Sequence, residues 1–292
     1  MNMTVACVQV SPGNDLAANL DHAQGLIEQA AAQGAQLIAL PEFALFLDRS
    51  GRAMAAAACP ETRHACLDSL RGTARRHGLW LAVGSIVTRD EEAGSETPVR
   101  LSNRSFLISP DGGIAARYDK IHMFDAVLAD GRTINESRAY RPGNRAVVVD
   151  TPWTPLGLSI CYDLRFPQLY RTLAQSGAGI LMVPAAFAHE TGAAHWESLL
   201  RARAIENGCF VVAPATCGTH PGDWRTWGHS MIVDPWGRVL AQADDRPGVI
   251  MATLQLDAIE RARRAIPSYA GREAFDVVHE HPTVTFPTAS AP

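Results

Sequence analysis

The sequence predicts an α/β fold of four layers, an α-β-β-α sandwich with two sheets face to face and helices outside. Three observations carry this reading. Strand-length apolar runs alternate with longer helical patterns along the whole chain. Two of those runs echo each other across the halves, Ala35–Leu40 before Pro41 and Ala178–Val183 before Pro184. Each half also carries a hairpin signal that turns through Asp and Gly. A chain of 292 residues, 47% hydrophobic, can bury a substantial core. Residues 1–280 read as a single domain and 281–292 as a C-terminal tail.

Thr4–Val10 is the first strand candidate. Leu16, Leu20, Ala23 and Ile27 follow at helical spacing, closed by Gly34. Gln36–Leu40 reads as a buried strand that stops at Pro41-Glu42, and Glu61–His77 as a helix ended by Gly78. Leu79–Val87 is the next strand, and the polar stretch Asp90–Pro98 a loop. Asn103–Ser109 and Ile114–Tyr118 flank the turn Pro110-Asp111-Gly112-Gly113. The second half repeats the plan. Strands are expected at Ala146–Val149, Leu156–Ile160, Gly179–Val183 and Phe210–Ala213, and helices after Pro167 and over His195–Asn207. A second hairpin pairs His229–Val233 with Arg238–Ala241 around Asp234-Pro235-Trp236-Gly237.

Composition narrows the function. A formal net charge of −4 gives no electrostatic reason for a nucleic-acid partner. The N-terminus lacks the basic and apolar regions of a signal peptide, and no apolar run is long enough to cross a membrane. The six cysteines are scattered without a C-x-x-C pair, which suits reduced thiols in the cytoplasm. No ligand pair has the spacing of a zinc site, and no metal or other cofactor is expected.

Three residues could carry chemistry. Cys161 ends the apolar run Leu156–Ile160 where the chain turns polar, so its thiol could stand at the mouth of a pocket; a buried structural cysteine fits the local pattern equally well. Glu42 lies just past a strand end, where α/β sheets bind ligands, although a carboxylate starting a helix would look the same. Lys120, in Tyr118-Asp119-Lys120-Ile121-His122, reads by itself as a surface charge.

Taken together these segments resemble the nitrilase superfamily of carbon–nitrogen hydrolases, from about residue 3 to about residue 270. The signatures stand in order: Leu40-Pro41-Glu42, then Tyr118–His122, then Ile160-Cys161-Tyr162-Asp163-Leu164-Arg165-Phe166-Pro167. The resemblance implies the sandwich fold, with Cys161 as nucleophile, Glu42 as general base and Lys120 as the cation that stabilises the transition state. It also implicates Glu136 as a second carboxylate that positions Lys120, and the Tyr162 N–H as an oxyanion donor. The segments Thr191–Asn207, Ala215–His220 and Gly228–Gly237 are similar to the branch of ω-amidases and deaminated-glutathione amidases, whose substrates are small carboxylate-bearing amides.

A carboxylate needs a cationic anchor, and Arg165 is the candidate; a structural salt bridge to Asp163 or Glu197 is the alternative. Phe187 and Trp196 could wall the pocket or belong to the core. With Glu42 and Lys120 available, a Cys–His dyad through His189 or His195 is not required. The branch similarity further implies a homodimer or higher homo-oligomer, with Ile259–Tyr269 reaching a partner subunit. Nitrile hydrolysis, N-carbamoyl amine hydrolysis, acyl transfer and a non-catalytic binding role on the same fold stay open as rivals.

Overall fold

The computed structural model describes residues 1–89, 100–127, 131, 133–271 and 274–279. The loop expected at 90–98 and the tail at 281–292 lie outside the described residues. The first half runs β1 (Asn2–Gln9), α1 (Leu16–Ala32), β2 (Leu37–Leu40), α2 (Gly51–Ala57), α3 (Ala65–His77), β3 (Trp80–Arg89), β4 (Leu101–Ile108) and β5 (Ile114–Asp119). A short ribbon, β6 (Asp125–Val127) with β7 (Thr133–Asn135), follows. The second half runs β8 (Val147–Val149), β9 (Leu156–Leu158), α4 (Pro167–Gln175), β10 (Ile180–Met182), α5 (His189–Asn207) and β11 (Phe210–Ala213). It continues through β12 (Cys217–His220), β13 (Trp224–Trp227), β14 (Met231–Val233), β15 (Val239–Gln242), β16 (Gly248–Gln255) and α6 (Asp257–Ala265).

Two six-stranded sheets result, ordered β16-β1-β2-β3-β4-β5 and β15-β14-β11-β10-β9-β8. They share one plan. Three parallel strands lie at the centre, β1-β2-β3 in one sheet and β9-β10-β11 in the other. An antiparallel pair extends each sheet on one side, β4-β5 or β14-β15, and a single antiparallel strand on the other, β16 or β8.

Alternation along β1 explains the layering. Met3, Val5 and Cys7 face the second sheet and pack in one core with Leu158, Met182 and Val211. Ala6 and Val8 face the other way, against Ile27 of α1 and Leu67 and Leu70 of α3. The sheets meet closely at the strand ends. A Cβ at Gly84 would run into the Leu40 carbonyl and the Pro184 ring, so only glycine allows that approach. The expected sandwich is therefore the fold observed.

Some boundaries differ from expectation. The helix expected from Glu61 begins as a 3₁₀ turn over Glu61–Arg63, and α3 starts at Ala65. Helix α5 begins at His189 rather than His195, running through Gly192, which lies against the Trp227 side chain where no Cβ would fit. Strand β16 was not expected. Most of its side chains are half-buried, so the sequence lacks the in–out alternation that marks a one-sided strand. Within the chain, residues 259–269 are held by Arg263, which donates to the Ala178 carbonyl (2.7 Å), and by Gln175, which donates to the Tyr269 carbonyl (2.9 Å).

Candidate active site

Pro41 cannot extend β2, and the chain leaves the sheet with Glu42 at the carboxyl end of a central parallel strand. There the Glu42 carboxylate is held by three donors. Oε1 accepts from Asn103 Nδ2 (2.8 Å) and Lys120 Nζ (3.0 Å), and Oε2 accepts from the Ala186 N–H (2.8 Å). Lys120 follows β5, its N–H donating to the Asn103 carbonyl (3.0 Å) and its own carbonyl accepting from Gly143 (2.7 Å). Its Nζ also donates to both oxygens of Glu136, at 2.9 and 2.8 Å. Glu136 opens the turn after β7, and its Oε2 takes the Phe124 N–H at 2.6 Å. Residues 42 and 120 are 1% and 2% exposed. Burial alone would push the Lys120 ammonium toward neutrality, but Glu136, Glu42 and Cys161 together outweigh it and hold the amine well above its ordinary value. Lys120 is thus a permanent buried cation.

Cys161 stands at the matching place in the second sheet, just past β9. Its backbone is left-handed, φ 48°, which turns the chain sharply out of the strand. This costs a non-glycine residue about 1–3 kcal/mol and persists only where the surroundings impose it. They do so through Asp163, a fully buried carboxylate. Its Oδ2 accepts from the Ile160 N–H (2.9 Å) and the Tyr118 hydroxyl (2.7 Å), while its Oδ1 accepts from the His122 N–H (3.0 Å). His122 Nδ1 lies 2.7 Å from the same Oδ1. Asp163 therefore ties the segment carrying Lys120 to the turn carrying Cys161. The Cys161 N–H donates to the Pro184 carbonyl (2.8 Å), whereas the Tyr162 N–H meets no backbone acceptor among the described residues. Burial, then the Glu42 charge, push the Cys161 thiol well above its ordinary value; Lys120 pulls the other way. On balance the surroundings favour the neutral thiol.

Glu42, Lys120, Glu136 and Cys161 line a single cavity of about 560 Å³, walled by apolar side chains such as Phe43, Met54, Phe124 and Tyr140. Arg165 and Phe187 do not line it. The five-residue 3₁₀ turn Cys161–Arg165 points the guanidinium over the rings of Phe187 (5.1 Å) and Tyr162 (5.9 Å), with Nη1 3.2 Å from His195 Nδ1. Phe187 is buried against Trp196, ring centroids 5.1 Å apart. Neither expected salt bridge forms: Asp163 is engaged as above, and Glu197 pairs with Arg201 (3.0 Å). His189 lies against Arg225 and Trp227.

Sequence reasoning missed Asn103. It is buried on β4 and bridges the two carboxylates, donating to Glu42 (2.8 Å) and Glu136 (3.4 Å) while its backbone carbonyl holds Lys120. Nothing in a strand reading Leu-Ser-Asn-Arg-Ser-Phe-Leu-Ile distinguishes this amide from an ordinary polar position. Asp163 was visible inside its motif, but its partners lie about forty residues upstream and no spacing rule connects them.

The chain resembles known proteins over most of its length. The model of the carbon–nitrogen hydrolase family matches residues 4–264. A deaminated glutathione amidase from Yersinia enterocolitica is 40% identical over 275 residues, 91% of each chain. Among solved structures, the Caenorhabditis elegans NitFhit protein superposes with a TM-score of 0.84 at 36% identity, covering 93% of this chain and 65% of that one. A variant of the amidase from Nesterenkonia sp. AN1 superposes with a TM-score of 0.73 at 28% identity, covering 90% and 94% of the two chains. That structure carries the acetamide moiety of fluoroacetamide bound covalently at its active-site cysteine.

Proposed function

This chain belongs to the carbon–nitrogen hydrolase family, and from that footing we propose that it is a cofactor-independent amidase working through a Cys161 thioester on small carboxylate-bearing amides such as deaminated glutathione. The observation that carries the reading is the Lys120 ammonium, held at 3.0 Å from Glu42 and 2.8 Å from Glu136 in the cavity that also contains Cys161. A permanent cation, a carboxylate and a thiol in one secluded pocket suit acyl transfer to sulfur.

The reaction follows from the charges. Because the thiol rests neutral, its proton moves to Glu42 as the sulfur attacks the amide carbon. Negative charge develops on the carbonyl oxygen, where Lys120 and the Tyr162 N–H stabilise it. One such donor is worth about 3–4 kcal/mol of barrier. The carbon–nitrogen bond then breaks, and the leaving amine or ammonia takes the proton from Glu42. Water gives a proton to Glu42 and attacks the thioester carbon. The carbon–sulfur bond breaks, the acid departs and Cys161 recovers its proton. Asn103 and Glu136 position the reacting groups through Glu42 and Lys120.

The reading extends to a homodimer or higher homo-oligomer in the cytoplasm, supported by the branch resemblance and by six free cysteines, which suit a reducing compartment. Sedimentation equilibrium of the purified protein tests the assembly. The activity is tested by ammonia or amine release from deaminated glutathione, ω-amides of 2-oxo acids, simple nitriles and N-carbamoyl amines. Turnover of the carboxylate-bearing amides, lost in Cys161→Ala, is expected; turnover confined to nitriles or carbamoyl amines would replace the amidase reading.

A further inference from the structure

The amidase reading puts a carboxylate on the substrate, yet Arg165, the anchor expected from the sequence, lies outside the cavity. The catalytic cluster cannot serve instead. Its one cation, Lys120, already faces two carboxylates, so the inner end of the cavity repels a further anion. Asp48 also lines the cavity, with Oδ1 taken by the Ser50 N–H (2.7 Å) and Oδ2 3.3 Å from Asn14 Nδ2.

Two guanidiniums complete the wall: Arg49 and Arg138. Both are exposed, and neither forms an ion pair among the described residues. Both are held at their backbones. The Arg49 N–H donates to the Pro221 carbonyl (3.1 Å), and its stem crosses Gly222 so closely that a Cβ there would lie 2.7 Å from its own Cβ. The loop after β2 is thereby pinned to the β12–β13 turn. Arg138 closes the Glu136–Arg138 turn, whose Glu136 carbonyl accepts from Ala139 (3.0 Å) and Tyr140 (2.9 Å). It sits two residues beyond the carboxylate that fixes Lys120. The cavity that holds the reactive cluster is thus also lined by two arginines that form no ion pair among the described residues, while its further carboxylate, Asp48, is occupied by Ser50 and Asn14. Guanidinium groups in that setting match a carboxylate through paired, charge-assisted hydrogen bonds.

We infer that Arg49 and Arg138 form the carboxylate-binding end of the cavity and select amides that bear a carboxylate away from the scissile bond. This rests on the amidase reading and deepens it. The test compares succinamate with butyramide, which has a methyl group in place of the carboxylate, in the wild type, Arg49→Ala, Arg138→Ala, the double variant and the corresponding lysine variants. The ratio of kcat/KM for succinamate over butyramide falls about 10- to 100-fold per arginine removed, chiefly through KM for succinamate, and lysine restores part of it. A ratio that stays constant while both activities fall, or an unchanged ratio at full activity, overturns the inference. A binding arm separates the two claims: succinate should slow alkylation of Cys161 by iodoacetamide in the wild type and fail to do so in the double variant. If the wild type hydrolyses neither of these amides nor deaminated glutathione nor the ω-amides of 2-oxo acids, the amidase reading fails, and this protection alone decides whether the arginines hold a carboxylate. Equal protection in both proteins, or none in the wild type, overturns it.

Discussion

The central strands of the two sheets end in the same way and lead to different chemistry. Strand β2 stops at Pro41 and β10 is followed by Pro184, each at the centre of three parallel strands, and the two proline turns meet over Gly84. After Pro41 comes Glu42, a buried carboxylate. After Pro184 come Ala185 and Ala186, with no side-chain chemistry, and the Ala186 N–H holds Glu42 Oε2 at 2.8 Å. The first sheet supplies the charges through Glu42 and Lys120, with the Asn103 amide donating to Glu42. The second supplies the thiol, through a left-handed turn after β9 that has no reactive counterpart after β1. A repeated scaffold can therefore divide a site between its halves, one half binding through backbone groups what the other presents as a side chain. The lesson concerns placement: the strand end creates the opening, and one residue there decides its role.

Breaking the charged half should have the largest effect. Lys120→Met leaves Glu42 and Glu136 facing each other in a buried site. The variant should lose about 10²–10³-fold in kcat and about 3–5 kcal/mol of stability, read from turnover and urea denaturation. Glu42→Gln keeps the shape and removes the base, with an expected loss of about 10²–10⁴-fold in kcat. It should also move the thiol in a defined direction. Glu42's negative charge favours the neutral thiol and Lys120 opposes it, so removing the carboxylate lowers the pH at which Cys161 ionises. The rate of Cys161 alkylation against pH should shift to lower pH in this variant; an unmoved profile would mean that the Glu42 charge does not act on the sulfur.

A subtler change sharpens the contrast. Asn103→Leu removes the amide that spans Glu42 and Glu136, and a loss of about tenfold in kcat with little change in KM is expected, as for a positioning residue. A large KM effect would instead place Asn103 against the substrate. The smallest effect is expected at Arg165. Its guanidinium lies over aromatic rings outside the cavity, so Arg165→Ala should cost about 0.5–2 kcal/mol of stability and leave kcat/KM within about threefold. A loss confined to carboxylate-bearing substrates would return Arg165 to the binding site.

Much of this was legible before folding. Strand length, proline stops and Asp-Gly turns revealed the two sheets because each marks a local backbone constraint. Glu42, Lys120 and Cys161 could be picked out because their three short motifs, taken together and in order, resemble the signatures of the nitrilase superfamily. What stayed hidden depends on neighbours distant in sequence. Asn103 looks like any polar residue on β4 until Lys120 and Glu136 close over it. Arg165 misled because four residues after a nucleophile suggests proximity, while the 3₁₀ turn over Cys161–Arg165 sends its side chain away. Arg49 and Arg138 sit in connections with no periodicity, and only folding brings both into the lining of one cavity. Strand β16 escaped because it is half-buried on both faces.

The account depends on Cys161 carrying the acyl group. Acid-quenching the wild-type enzyme during turnover of succinamate, followed by peptide mass spectrometry, tests this most directly. The prediction is a succinyl group on the peptide containing Cys161, absent when Cys161→Ala replaces the wild type and accompanied by loss of ammonia release. An acyl group on another residue, or undiminished ammonia release from Cys161→Ala, would contradict it.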